Sequence, residues 1–218
     1  MGLTAPGRPV MPSARPRLPG PAIHSAALTS AALALTFDDG PDPRGTPAVL
    51  DALDRAGARA TFFVIAPAAE RHPDLVRRAV ASGHRIELHC DRHIRHTELH
   101  EGAIREDAER ALGRLARLGL APALWRVPWG VQAEATPAVA AQLGLTLVGW
   151  DIDTHDWRGD PAAEMFAATR EELVPDAVVL AHDGIGPGAL RAGCAETAAY
   201  VSLVAAHAAD AELALSSL

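Results

Sequence analysis

Short apolar runs of strand length alternate along the chain with stretches whose apolar positions recur at three- and four-residue spacing. LALTF at 33–37, ATFFVIA at 60–66, HRIELH at 84–89, LWRVP at 124–128, LTLVGWDID at 145–153, AVVLAH at 177–182 and ELALSSL at 212–218 read as seven strands. Between them, Thr46-Pro47 and Thr136-Pro137 are helix starts, each a hydroxyl N-cap with proline at the first helical position. Val49, Leu50, Leu53 and Ala56 keep helical spacing up to Gly57. Further helices are expected from about Asp74 to Ser82, from Thr97 to Leu118, from Asp160-Pro161 onward and from Gly188 to Ala209. The helix from Thr97 to Leu118 carries Ile104, Ala108, Ala111, Leu112 and Leu115 on one face. Strands alternating with helices specify an α/β fold with a parallel sheet, and the run lengths are those of a barrel.

Polar residues mark one end of these strands. The runs end in Asp38-Asp39, His89, Arg126, the cluster Asp151, Asp153 and Asp156, and His182. In β/α barrels chemistry collects at the C-terminal ends of strands. Asp38-Asp39 alone fits an acidic turn, because adjacent carboxylates repel unless a cation or Arg offsets them. The matching strand ends shift that reading to a site.

HCDRHIRHTELH places His89, His93, His96 and His100 at i, i+4, i+7 and i+11. On a helical turn these fall along one face, where a pair at i, i+4 can chelate a metal, although spacing does not choose the pair. With an Asp from another strand end the expectation is a His₂-Asp site whose open position suits a catalytic ion. His182 fits either a satisfied core histidine or an acid/base group, and Asp156 is available to raise its pKa. Arg126 ends an apolar strand and needs a carboxylate partner.

Length and charge narrow the class. The chain has 218 residues and a net charge of −7 with no Lys/Arg run, which speaks for one domain and against a nucleic-acid surface. Cys90 and Cys194, the two cysteines, are expected as free thiols. Residues 1–25, rich in Pro, Gly and Arg without periodicity, read as a loosely ordered lead-in to a domain over 26–218. They lack the pattern of a signal peptide, and no run is long enough for a membrane span, so a cytoplasmic protein without membrane partner is expected.

TFDDGP at 36–41, HCDRH at 89–93, RVPWG at 126–130, DTHDW at 153–157 and LAHDG at 180–184 resemble, in order, the five motifs of the polysaccharide deacetylases, the NodB-homology group or carbohydrate esterase family 4. The resemblance implies a distorted (β/α)₇ barrel and metal-dependent hydrolysis of an acetyl group from an N-acetylated amino sugar, with a small molecule or oligosaccharide as substrate. The alternative it leaves is a linear or cyclic amide of a non-sugar compound. Carried over by position, Asp38 is the base, oriented by Arg126, and His182 is the acid, tuned by Asp156. Asp39, His89 and His93 are the ligands of one divalent ion, zinc foremost and cobalt or nickel next. Pro128 and Trp129 are substrate-binding residues, with the Trp129 N–H facing the oxyanion, while Trp157 and Leu180 line the acetyl pocket. Two positions depart from the family pattern: Cys90 replaces a Ser or Thr and brings sulfur near the metal, and Glu87-Leu88 replace Gly-Asn, which would reshape one side of the groove.

Overall fold

The computed structural model describes residues 32–218, so the lead-in over 1–25 lies outside the described residues. The sheet is organised around β1 (Ala32–Asp38), every residue of which is buried. Pleating sends alternate side chains to opposite faces. Leu33, Leu35 and Phe37 join the main apolar core against the helices, whereas Ala34 lies in a smaller cluster with Phe63, Val148, Val178 and Leu218.

The chain continues through α1 (Thr46–Ala56), β2 (Thr61–Ile65), α2 (Ala66–Arg71), α3 (Pro73–Ala81) and β3 (Arg85–Cys90). Then follow α4 (Glu101–Arg117), β4 (Leu124–Trp125), α5 (Thr136–Gln142), β5 (Thr146–Leu147) and β6 (Ile152–Asp153). The last elements are α6 (Ala162–Thr169), β7 (Val178–His182), α7 (Ala195–Asp210) and β8 (Ala214–Ser216). All pairings are parallel, in the order β5-β4-β3-β2-β1-β7-β6, with β8 beside the start of β1. This is the curled parallel sheet with outer helices that the strand pattern predicts.

Four expectations change. Thr46 and Thr136 are the first helical residues rather than N-caps; Gly45 and Ala135 hold the cap positions, and no side chain caps either helix. The expected strand over 145–153 is two short strands, β5 paired to β4 and β6 paired to β7. Four residues, 148–151, lie between them, so one segment bridges the two ends of the strand order and closes the curl. The long C-terminal helix starts at Ala195 rather than Gly188, because Gly188 is left-handed at φ +90° and residues 184–194 form a loop. Finally, Ala66 begins α2 instead of ending a strand. Among the described residues no helix is long and apolar enough to cross a membrane.

Candidate metal and catalytic centre

Parallel strands present their C-terminal ends together, and the register sets Asp38 of β1 directly beside His182 of β7. Asp39, next in sequence, leaves the pleat in a left-handed conformation at φ +72°, which Asp tolerates better than most residues. That turn aims its carboxylate away from that of Asp38. Gly186 allows the close approach: a Cβ there would sit 1.9 Å from Asp39 Oδ2.

His89 ends β3 and His93 follows it by one loop turn. Their Nε2 atoms lie 3.4 and 3.2 Å from Asp39 Oδ1. His89 Nδ1 is 2.6 Å from the Arg126 carbonyl oxygen. A carbonyl only accepts, so Nδ1 carries the proton and Nε2 turns its lone pair to the centre. Burial alone would raise the Asp39 carboxyl, yet the adjoining His89 and His93 imidazoles hold it well below the usual carboxylate range. Asp39 Oδ1 is buried without a hydrogen-bond partner in conventional geometry, and the three ligand atoms lie within 4.8 Å of one another. Two imidazoles and a carboxylate converging on a buried, unsatisfied oxygen are a donor set that fits a divalent ion.

Arg126 runs into the barrel with no exposure. It donates through Nη1 to Asp38 Oδ1 at 2.9 Å and to Thr36 Oγ1 at 2.7 Å, and through Nη2 to the Gly149 carbonyl at 2.8 Å. The guanidinium carbon stacks 4.2 Å from the Phe63 ring centroid. The partner that a buried guanidinium requires is therefore Asp38.

On the other flank, His182 Nδ1 is 2.7 Å from Asp156 Oδ1, and the His182 N–H donates to Asp156 Oδ2. Burial would lower the imidazole pKa, but the hydrogen bond and charge of Asp156 outweigh it and push His182 up to about 9. Asp156 is itself held down, against burial, by His182, Arg191 and Thr197. Arg191 Nη1 donates to Asp156 Oδ2 at 2.9 Å and Thr197 Oγ1 donates to the same oxygen at 2.7 Å. Arg191 Nη2 also holds the His182 carbonyl at 2.8 Å. Neither Arg191 nor Thr197 is singled out by the sequence; an Arg preceding the N-terminus of the last helix was the available signal. Beneath the site, burial lifts the Asp183 carboxyl to about 7, and Thr46 Oγ1 donates to it at 2.5 Å.

Trp129 takes φ +53° in a short 3₁₀ turn beginning at Pro128, and its indole lies 4.1 Å from the His93 ring, centroid to centroid. Its backbone N–H falls in the first turn, where no partner exists within the turn. Pro128 is buried. Trp157 is half-buried after β6, on the opposite flank, and Leu180 is buried on β7 two residues before His182.

The helical histidine face does not form. His89 belongs to a strand, residues 91–95 are a loop, and two of the four rings leave the centre. His96 Nδ1 pairs with Thr136 Oγ1 at 2.9 Å, and the ring packs on Trp125, with burial lowering its pKa to about 4. His100 instead caps α4 by accepting the Ala103 N–H. Cys90 is buried, its thiol pushed far up by burial, and stands outside the donor set. Both cysteines are free. Glu87 does not shape the groove: it is buried lower in the barrel, accepting the N–H groups of Ala123 and Leu124 at 2.8 Å each.

A donor set of this kind at the strand ends of a curled parallel sheet is compatible with a bound ion, and comparison narrows the class of protein. The family profile described as polysaccharide deacetylase matches residues 26–148, and the chain belongs to that family. It is 36% identical over 162 residues to a chitooligosaccharide deacetylase of Bradyrhizobium sp. (strain ANU 289), covering 72% of this chain and 73% of that one. It is 35% identical over 165 residues to a peptidoglycan-N-acetylglucosamine deacetylase of Bacillus cereus, covering 74% of this chain and 59% of that longer one. A family 4 carbohydrate esterase from Streptomyces lividans, solved with acetate, superposes with a TM-score of 0.75 at 31% identity over 84% of this chain and 91% of that one. A family 4 pseudoenzyme from Bacillus anthracis shares the fold alone, with a TM-score of 0.77 at 15% identity and coverages of 86% and 64%.

Proposed function

We propose that this chain is a metal-dependent N-deacetylase that removes the acetyl group from an N-acetylated amino sugar, within an oligosaccharide or a sugar-bearing small molecule. One observation carries the reading. Asp38 and His182, register partners on adjacent strands, flank the Asp39–His89–His93 donor set, each held by its own partner, Arg126 or Asp156. The activities of the Bradyrhizobium and Bacillus cereus relatives, both sugar deacetylases, support the same reaction. A complete constellation sets the chain apart from a purely binding member of the fold.

Asp39, His89 and His93 would hold the ion, and zinc suits two imidazoles and a carboxylate. When bound, it lowers the pKa of its water and polarises the acetyl carbonyl. Asp38 has Oδ1 engaged by Arg126, which leaves Oδ2 to take a proton from the attacking water. The Trp129 N–H would donate to the oxyanion of the tetrahedral species. His182, with Nδ1 fixed by Asp156, keeps Nε2 to deliver a proton to the departing sugar nitrogen. Pro128, Trp157 and Leu180 would shape the acetyl pocket.

The test is acetate release from N-acetylglucosamine oligomers, with chelator and then zinc or cobalt added. Release that stops with chelator and returns with metal is the expected result. Turnover of cyclic imides or ureides, with no acetate from any N-acetyl sugar, would move the assignment to non-sugar amides.

A further inference from the structure

The stretch between the two histidines of the donor set, Cys90-Asp91-Arg92, leaves β3 and lacks a ladder of its own beyond Cys90. Backbone groups there must find partners elsewhere. They find one carboxylate. Asp107, on α4, accepts the Asp91 N–H through Oδ2 at 2.9 Å and the Arg92 N–H through Oδ1 at 3.1 Å. The Arg92 Nε–H also donates to Oδ1, at 3.2 Å. Asp107 is 5% exposed and has no part in the chemistry derived above. Its charge is offset by Arg92 and Arg110, while the adjoining Asp91 carboxylate is tied to Arg114 at 2.7 Å.

The helix that carries Asp107 is fixed by the core through Ile104, Ala108, Ala111 and Leu115. A buried carboxylate on a rigid element therefore grips the two amides lying between the His89 and His93 side chains. We propose that Asp107 is a positioning residue for the metal centre: by clamping the 91–92 backbone it sets where the His89 and His93 rings converge on Asp39. The inference rests on reading that donor set as a metal site. Outer partners that orient ligands typically contribute about 10–100-fold to metal affinity.

The test is zinc affinity, measured by competition with a chromogenic chelator, for the wild-type chain, Asp107→Asn and Ala108→Gly. Asn keeps the shape but loses the charge and turns one acceptor into an N–H₂ group. Asp107→Asn is expected to bind zinc about 10–100-fold more weakly, with kcat at saturating zinc within a few-fold of wild type. Ala108→Gly weakens the same helix without touching the loop, and is expected to bind zinc as wild type does. Wild-type zinc affinity in folded Asp107→Asn overturns the proposal, and so does an equal loss in Ala108→Gly. If Asp107→Asn does not fold, amide exchange in the metal-free wild-type chain decides. Protected Asp91 and Arg92 amides support the clamp, and exchange at the rate of unstructured amides overturns it. A wild-type chain that binds no zinc removes the metal centre itself, and this proposal with it.

Discussion

Asp38 and Asp39 are adjacent in sequence but have different partners. One stays in the pleat against Arg126, and the other turns through φ +72° to meet two imidazoles. Separate duties predict separable losses. Asp38→Asn and His182→Ala should each lower the rate of acetate release by about 10²–10⁴-fold, with zinc content unchanged by elemental analysis. His89→Ala should empty the site. On the proposed role of His182 as acid, a pH profile follows. With its pKa raised to about 9, His182 stays protonated through neutrality, so the rate holds there and falls as pH rises through about 9. Asp156→Asn removes the charge that raises it, and the alkaline limb in a kcat/KM profile should move to lower pH. These side chains were legible because each ends an apolar run or follows one closely. Arg191 and Thr197 were not, since one lies in a loop without periodicity and the other in the first turn of the helix that follows it.

Strands and loops were legible to different degrees. Parallel strands buried on both faces give continuous apolar runs, and those over β1, β2 and β7 announce themselves. The loops carry polar residues whose partners are distant in sequence, so the histidine row looked helical when it is a strand, a loop and a cap. His96 shows the cost of that mistake. It joins the loop after β3 to Thr136, whose Oγ1 also accepts the Ala133 N–H at 3.0 Å. Thr136→Val would leave both groups unpaired, and a stability loss of about 1–3 kcal/mol is expected by denaturant titration. The loop after β7 makes a second demand. Gly186→Ala would press a methyl group against the Asp39 carboxylate. Its expected signature is weakened zinc binding in a folded chain, read by chelator competition.

For the whole molecule, a ligand that binds only the folded state adds stability in proportion to RT ln(1 + [L]/Kd). The donor set unites residues from the ends of β1 and β3, so a bound ion should restrain the entire barrel mouth. Chelator is expected to lower Tm and zinc to restore it in a scanning calorimeter, while His93→Ala should show no zinc response. The barrel class could be read from strand and helix alternation, but its closure could not, because one apolar run conceals two strands with different partners. The residues between them hold the Gly149 carbonyl that receives Arg126, and Arg126 in turn holds Asp38. The segment joining the two ends of the strand order and the aim of the proposed base thus share one side chain. An enzyme wired in this way reports on its own integrity: a barrel that slackens at 148–151 would lose turnover before it lost its shape.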